Sequence, residues 1–446
     1  MILQNWWFTS LLPQNFPPIQ PLRHDIKVDV LIVGGGMTGM SAAAAFLEKG
    51  FKVAVIERNV FGGSSTGRSA GFLTPDSELE LSQLERRFGN EGAKKIWQVP
   101  VSGINLIVER VKKYDLQCDL IKQDSLFVGI GKDGISAIKE EKEARSRVGF
   151  DSIVYDKSQL ENVLGSKNYE AAVRYGNTYG ISALQYVQNM KRILIDGGIQ
   201  VYEATEAQRI KDHTVYTHAG SVTADKIIVA IDKIKPSLTR YSREVFHAQT
   251  FLSISEPLSD EDYKNLFPSG EQFQCWDSTL VYSYWRLTGT RRLLLGGGSA
   301  MTTFMAQWDN KEKVIDAVIK GFKARFPALK KLEFIQYWPG QIDTTRDLLP
   351  TVVRDAEAPH IHYAFGIVGL PWASFCGDFL ARVILGTAEK DEMEYFSYFS
   401  DRRYFALPTS VQRLVGKPFL FSMNNFWAKY YQVDVKRQLK FNPNDF

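Results

Sequence analysis

A glycine-rich segment near the start of the chain, Gly34-Gly35-Gly36-Met37-Thr38-Gly39, matches the pattern G-x-G-x-x-G after a short apolar stretch. In that pattern the first glycine forms a tight turn, the second lets the backbone approach a pyrophosphate, and the third lets a helix pack on a strand. Amides at the start of the helix then bind the phosphates. Glu57, followed by Arg58, stands 21 residues after Gly36, where an acid binds ribose hydroxyls. These residues predict a dinucleotide site rather than an ordinary glycine turn with a solvated glutamate.

Small and hydroxyl-bearing residues fill the segment at 61–72. Small residues let the backbone pass close to a cofactor, while hydroxyls and a guanidinium donate hydrogen bonds to phosphate or flavin oxygens. A domain that binds only NAD needs no such loop directly after its second strand, so the segment favours FAD; a flexible surface loop is the alternative. The candidate contacts here are Ser64, Ser65, Thr66, Arg68, Gly71 and Phe72.

The elements that must position these residues form a βαβ unit. Residues 28–33 are an apolar run of strand length, and residues 37–49 repeat small and apolar side chains at helical spacing. Gly50 ends that helix, and residues 52–56 are a second buried strand. The glycine-rich turn therefore joins a strand to a helix, as a dinucleotide site requires.

Similar pieces recur as a helix before Gly197, strands at 199–202, 226–231 and 361–365, and a helix at 372–385. Residues 91–170 are charged and predicted to be helical, whereas residues 240–338 alternate as antiparallel strands do. The predicted fold class is α/β, a Rossmann-like FAD-binding domain with an inserted α+β substrate domain built on an antiparallel sheet. The predicted FAD-binding domain covers 28–90, 171–235 and 340–388; the substrate domain covers 91–170 and 236–339, the N-terminal arm 1–27 and the C-terminal tail 389–446.

The composition limits the function classes. The 446 residues suit two domains, and a net charge of +4 gives no electrostatic reason to expect a nucleic-acid partner. Three distant cysteines and six unclustered histidines predict no metal site, and the cysteines fit a reduced, cytoplasmic setting. We expect neither a signal peptide nor a transmembrane segment, because the apolar stretch at 365–385 contains Asp378 and Arg382.

Further motifs follow in a recognisable order. They lie at 179–205, 227–230, 292–298, 338–350, 365–371 and, in the tail, 395–431. With the two glycine-rich segments, this order resembles the D-amino-acid oxidase/sarcosine oxidase/glycine oxidase superfamily of FAD enzymes, and most of all its gamma-glutamylputrescine oxidoreductase-type members. The resemblance implies additional FAD contacts at Ala207, Ala230, Gly340, Gly366, Gly369, Leu370 and Pro371.

The resemblance also implies a reaction. A neutral amine loses hydride from its α-carbon to flavin N5, and the resulting imine is hydrolysed. Tyr282, Tyr284 and Arg286 lie where the substrate sheet of such enzymes faces the flavin, and strict alternation places them on one face of a strand. They are the candidate catalytic residues; an aromatic core strand with a surface arginine is the alternative.

Three departures from the family pattern bear on substrate and acceptor. Leu294 stands where similar sarcosine oxidases have a lysine that helps oxygen react, and Ile342 where glycine oxidase-like members bind the substrate carboxylate with arginine. The attachment cysteine of sarcosine oxidases aligns near Thr344 and Thr345, and the loop at 62–70 has no histidine. We therefore expect non-covalent FAD and a small-molecule amine substrate, with oxygen or another electron acceptor.

Two other functions remain open at this point. Without the lysine and the arginine, the chain is alternatively a flavin-binding subunit that needs a partner for turnover. The superfamily also includes an RNA-modifying flavoenzyme, but the sequence has no basic face with an aromatic platform.

Overall fold

The computed structural model describes residues 1–403 apart from 15, 17–18, 77, 280, 299–311, 346 and 402. Its strands are β1 (Ile2–Leu3), β2 (Ile26–Val33), β3 (Val53–Ile56), β4 (Phe72–Leu73), β5 (Ile121–Lys122), β6 (Asp124–Gly129), β7 (Ile153–Asp156), β8 (Ala171–Tyr175), β9 (Tyr179–Gly180), β10 (Gln200–Tyr202), β11 (Arg209–Lys211), β12 (Thr214–Tyr216), β13 (Ser221–Val229), β14 (Phe246–Pro257), β15 (Phe273–Asp277), β16 (Tyr284–Leu287), β17 (Arg292–Gly297), β18 (Phe334–Thr344), β19 (Thr351–Arg354) and β20 (Ile361–Phe365). The α-helices are α1 (Trp6–Leu11), α2 (Met37–Ala45), α3 (Leu81–Lys113), α4 (Gly131–Arg147), α5 (Lys157–Leu164), α6 (Ala183–Asp196), α7 (Asp260–Leu266), α8 (Glu312–Arg325), α9 (Leu370–Leu385) and α10 (Lys390–Phe396). Most of the predicted tail and its motif at 395–431 lie outside the described residues.

A parallel sheet holds the dinucleotide-type elements. Strands β10, β3, β2, β13 and β20 are adjacent in that order and parallel, and β19 pairs antiparallel with β20. Their apolar runs are buried, as strands with helices on both faces require. Val33 is paired with both Ile56 and Val229, so the carboxyl ends of β2, β3 and β13 meet at one edge. Ligands of open α/β sheets bind outside that edge.

A second, nine-stranded sheet has the order β1-β18-β14-β17-β16-β15-β6-β8-β7. Its central strands β14 to β17 are antiparallel neighbours, as the alternation at 240–338 predicts, while β1 with β18 and β15 with β6 are parallel pairs. Its borders differ from the predicted domain limits. Strand β8 pairs with β6 and β7, although residues 171–175 were predicted to belong to the FAD-binding domain. Strand β1 adds part of the predicted arm to the sheet. Backbone pairing between segments distant in the sequence decides these memberships, and local patterns do not record it.

Three helices pack beside the glycine-rich turn with little room between them. A Cβ added at Gly377 of α9 would lie 2.0 Å from the Thr38 carbonyl oxygen in α2, and one at Gly103 of α3 would lie 2.0 Å from the Pro371 carbonyl oxygen. Glycine is therefore required at both crossings. Helix α9 begins at Leu370, two residues before the predicted start, and α2 ends at Ala45 rather than at Lys49.

A buried ion pair joins the same three helices. Arg110 of α3 donates to Asp378 of α9 at 2.9 Å and to the Ser41 hydroxyl of α2 at 2.5 Å. The side chains of Arg110 and Asp378 are only 9% and 11% exposed. No helix within the described part of the chain is long and apolar enough to cross a membrane.

Replacing Arg110 by methionine is expected to lower the free energy of unfolding by about 1.5–3 kcal/mol, because the buried Asp378 would lose one charge-assisted hydrogen bond and keep only that from Arg382. The matched control is Arg86→Met, which removes an exposed pair with Glu140. Exposed pairs contribute about 0–1 kcal/mol. Urea unfolding followed by circular dichroism measures both, and equal losses for the two variants would contradict this account.

Candidate functional site

A cleft lies along the carboxyl edge of the parallel strands and contains about 1010 Å³ of space free of protein atoms, part of it open to solvent. Most of the predicted FAD contacts line this cleft: Gly34, Gly36, Met37, Thr38, Glu57, Arg58, Ser64, Ser65, Thr66, Ala207, Ala230 and Gly366. The structure thus brings together residues that are spread over more than 300 positions of the chain.

The three motif glycines have different tasks. Gly34 has a φ of 111°, and a Cβ there would lie 2.4 Å from the Ala230 carbonyl oxygen. A Cβ at Gly39, which does not line the cleft, would lie 1.8 Å from the Gly34 carbonyl oxygen. At Gly36 the nearest heavy atom would be Thr66 Oγ1, at 3.3 Å. The first and third glycines therefore serve turn and packing, whereas the second leaves space in the cleft for a ligand.

The carboxylate of Glu57 is fixed where β3 ends. Its Oε2 accepts a hydrogen bond from the Gly35 amide and its Oε1 one from the Asn59 amide, both at 2.8 Å. Burial raises the pKa of Glu57, and these two backbone hydrogen bonds oppose that effect. The side chain meets the cleft beside Arg58. This is the position a ribose-binding acid occupies in a dinucleotide fold.

The loop after β3 is held by Asp232, a residue that the sequence reading missed. Asp232 accepts from the Ser64 hydroxyl at 3.0 Å and from the Ser65 hydroxyl. Thr66 Oγ1 accepts from the Met37 amide at 3.0 Å and so ties the loop to the start of α2. Asp232 directly follows the strand predicted at 226–231, and this carboxyl-end position was the available signal. The cleft therefore has polar walls and amide donors at a helix start, which fits a dinucleotide phosphate.

A second cavity, with about 1550 Å³ of space free of protein atoms, continues from the cleft. The residues that line both spaces are Met37, Ser65, Thr66, Ile342, Ile367 and Ala373. The remaining predicted FAD contacts except Gly39 line this cavity: Arg68, Gly71, Phe72, Gly340, Gly369, Leu370 and Pro371. A ligand with phosphates in the cleft and a ring system in the cavity would satisfy both sets, as FAD does.

Aromatic side chains form part of the cavity wall. Tyr282 and Tyr284 line it together with Phe72 and Trp276, and the rings of Phe72 and Tyr284 are in edge-on contact with centroids 6.0 Å apart. Burial raises the pKa of Tyr284 to about 12 and raises that of Tyr282, so both phenols keep their protons at neutral pH. Tyr282 donates to Glu78 at 3.1 Å.

Arg286 does not line the cavity, which corrects its placement as a substrate contact. It is fully buried and donates to the carbonyl oxygens of Ala70 at 2.6 Å, Ile181 at 2.7 Å and Leu287 at 3.0 Å. Alternation does place it on the face of Tyr284, but the segment around Gly71 covers that part of the face. Gly71 has a φ of 76°, and a Cβ there would lie 1.9 Å from the Ile181 carbonyl oxygen. Arg286 thus holds the cofactor-side loop in place.

The structure also shows where the residues that depart from the family pattern lie. Ile342 and Thr344 line the cavity, whereas Leu294 is buried in an apolar cluster with Trp7 and Trp338. Thr345 is buried and bonded to Asp347 and Leu349. Sequence reasoning missed the cavity residues Thr74, Asp76, Glu78, Ala248, Thr250, Leu252, Trp276 and Val281. The acidic alternation after Phe72 was a signal for two of them.

Gly36→Ala is expected to fold normally and to lose most bound flavin, since the new methyl group would occupy space that the protein leaves open for the ligand. Gly34→Ala is the matched control and is expected to destabilise the fold itself, because of its positive φ and the contact with Ala230. The ratio of flavin to protein absorbance gives occupancy, and thermal unfolding gives stability. Full occupancy in Gly36→Ala would contradict this placement of the pyrophosphate.

Comparison with known proteins supports the same cofactor. A family model described as FAD dependent oxidoreductase (DAO) matches residues 29–383. The chain is 27% identical to the probable oxidoreductase OrdL of Haemophilus influenzae, over 84% of this chain and 86% of that protein. It is also 27% identical to gamma-glutamylputrescine oxidoreductase of Escherichia coli, over 88% of this chain and 91% of that protein.

The fold also occurs in solved structures. Glycine oxidase from Geobacillus kaustophilus superposes with a TM-score of 0.73 and 16% identity, covering 85% of this chain and all of that one. L-proline dehydrogenase from P. horikoshii gives a TM-score of 0.69 at 16% identity, covering 84% and 98% of the two chains. The predicted α/β fold class is thereby confirmed, and so is FAD as the cofactor. With its family match spanning both cavities, the chain belongs to the FAD dependent oxidoreductase (DAO) family.

Proposed function

We propose that this protein oxidises a C–N bond of an amine or amino-acid-like substrate, giving an imine that water hydrolyses. The observation that carries the proposal is the continuity of the FAD cleft with an aromatic cavity at Met37, Ile342 and Ile367. The names of the curated relative from Escherichia coli and of the solved glycine oxidase and proline dehydrogenase support the same chemistry.

The residues of the chain bind and orient the substrate in this reaction. FAD, when bound, supplies the hydride acceptor. Tyr282, Tyr284 and Trp276 exclude water from the amine and favour its neutral form, because desolvation disfavours the charged one. The wall formed by Tyr284 and Ile342 orients the C–H bond, and such positioning contributes a large part of catalysis.

We infer a division of labour between two units, with the parallel sheet binding FAD and the nine-stranded sheet forming the substrate side. Nineteen of the twenty predicted cofactor contacts, all except Gly39, belong to this proposal, and so do Tyr282 and Tyr284 on the substrate side. Three buried, unpaired cysteines support a cytoplasmic location. The electron acceptor is oxygen or another acceptor. Leu294 stands where similar sarcosine oxidases have a lysine that helps oxygen react, so this position provides no positive charge for a reaction with oxygen.

An enzyme is favoured over a flavin-binding subunit that needs a partner. The two curated relatives are named oxidoreductases, and the alignments cover 84% and 88% of this chain. The near-balanced charge of +4 gives no support to an RNA-modifying enzyme.

FAD is expected to be released by acid or heat, leaving a colourless polypeptide. The reason is the absence of an attachment residue at the cavity positions where relatives carry one, since Thr344 stands there and the loop at 62–70 has no histidine. Acid precipitation followed by absorbance of the supernatant and pellet measures this release. Flavin that stays with the denatured chain would show a covalent bond.

An alkylated amine or a polyamine derivative is expected to reduce the flavin at least about tenfold more efficiently than glycine, sarcosine or D-alanine. Ile342 gives a small α-carboxylate no charge-assisted anchor, and losing such a bond costs ~2 kcal/mol, or over tenfold. Anaerobic stopped-flow bleaching at matched concentrations measures the rates, with dithionite defining full reduction. Rapid bleaching by glycine or sarcosine, and none by amines without an α-carboxylate, would contradict the prediction. Reoxidation in air then separates an oxidase from a dehydrogenase.

A further inference from the structure

Three polar side chains form one wall of the substrate cavity. Thr74, Asp76 and Glu78 follow β4 at alternate positions, and all three line the cavity. We call this group the acidic wall. Since Phe72 of β4 also lines the cavity, the acidic wall directly continues the segment predicted to meet the flavin.

Two atoms of the acidic wall lack hydrogen-bond partners among the described residues. They are Asp76 Oδ1 and Thr74 Oγ1. Both side chains are more than nine-tenths buried, with 9% exposure for Asp76 and 7% for Thr74. A buried acceptor without a donor is costly, so such atoms are normally paired. Facing a cavity, they are placed to receive a donor from a ligand.

More negative charge lies behind the acidic wall. Glu80 accepts from Trp276 Nε1 at 2.8 Å, and the Tyr175 hydroxyl lies 2.8 Å from Glu80 and 2.9 Å from Glu141. The Tyr175 hydroxyl has one proton and can donate it to only one of these two carboxyl groups. The other carboxyl must therefore be protonated to form its own hydrogen bond with the hydroxyl oxygen. Burial raises the pKa of Glu141, and the guanidinium of Arg145, which lies 4.5 Å from the Tyr175 ring centroid, partly opposes that effect. The cluster thus has more carboxyl groups than nearby cations in the described part of the chain.

The pKa of Asp76 is shifted by burial and by the neighbouring carboxyl groups. Burial first, and then the charge of Glu80, raises its pKa well above the ordinary value. The side chain is therefore held in its neutral form when no cation is near. A positively charged ligand group would reverse this, because an opposite charge within hydrogen-bond distance favours the ionised carboxyl.

The neighbouring rings suit the same ligand. Tyr282 donates to Glu78, Trp276 donates to Glu80, and both rings line the cavity. Ammonium groups are attracted to aromatic faces within about 6 Å. Among the described residues, Arg68 is the one cationic side chain that lines the cavity. It donates to the Pro339 carbonyl oxygen rather than to a carboxyl group of the acidic wall.

We propose that the acidic wall binds a second, positively charged group of the substrate, so that the protein prefers a diamine or polyamine derivative over a simple alkylamine. The C–N bond of one amine group is then oxidised to an imine by hydride loss from its α-carbon to the flavin, while the distant ammonium is held by Asp76. This inference rests on the proposed amine oxidation and specifies its substrate class. Asp76 acts in it as a binding residue that determines specificity.

The test compares cadaverine with n-pentylamine, which differ only by the second amine, in anaerobic flavin reduction by the holoenzyme. The half-saturating concentration of the wild type is expected to be at least about tenfold lower for cadaverine, and Asp76→Asn is expected to bring the two within about threefold. Asp277→Asn is the matched control, because this buried carboxyl on β15 does not line the cavity, and it should preserve the preference.

A pH series gives a second readout that a merely structural role would not change. Cadaverine must ionise Asp76 on binding and release its proton, so its affinity should rise with pH until the raised pKa is passed. The reacting nitrogen of either amine must also lose a proton, so the affinity of n-pentylamine rises with pH as well. The additional rise for cadaverine over n-pentylamine is the contribution of Asp76, and it should be absent in Asp76→Asn. Equal affinities of the wild type for the two amines, or an unchanged preference in Asp76→Asn, would overturn the inference.

The two proposals fail in different ways. If no amine bleaches the flavin, the proposed function is wrong, and titration of cadaverine against the oxidised flavin spectrum still tests the cation site. If both amines bleach it with the same half-saturation, amine oxidation stands and the cation site is wrong.

Discussion

Helix α2 approaches its neighbours so closely that side chains are excluded at the contacts. A Cβ at Gly39 would lie 1.8 Å from the Gly34 carbonyl oxygen, and one at Gly377 would lie 2.0 Å from that of Thr38. This packing fixes the start of α2 at the carboxyl edge of the parallel sheet, with its amides directed at a phosphate site. Met37, the first residue of α2, consequently lines both the dinucleotide cleft and the substrate cavity. The connection between the cleft and the cavity therefore depends on this packing.

The loop that follows β3 is constrained from three directions. The Ser64 hydroxyl donates a hydrogen bond to Asp232, and the Met37 amide donates one to the Thr66 hydroxyl. Arg286 donates a third to the carbonyl oxygen of Ala70. Arg286 belongs to the nine-stranded sheet, so that sheet is tied to the segment that follows β3 of the parallel sheet. A fully buried guanidinium with several backbone acceptors is a rigid tie, because each lost hydrogen bond would leave a buried charge less compensated.

The substrate cavity has walls of opposite character. Aromatic side chains lower the polarity around an amine, whereas Asp76 and Glu78 introduce carboxyl groups at the same cavity. A protein rarely retains an unpartnered buried carboxyl without a functional reason, because its desolvation works against folding. The combination is suited to a substrate that is neutral where it reacts and charged where it is held.

The sequence determined the local features by itself. The glycine pattern, Glu57 and the apolar runs identified the strand–turn–helix unit, because turn geometry and strand burial are encoded by neighbouring residues. Nineteen of the twenty cofactor positions named from motif order line the two spaces, and Gly39 serves packing instead. Only the tertiary structure decided what depends on distant contacts. It placed β8 and β1 in the large sheet, covered Arg286 with the segment around Gly71, and turned Asp76 into a cavity wall beside Trp276. Alternation along a strand predicts which side chains share a face, but what covers that face is set by segments far away in the chain.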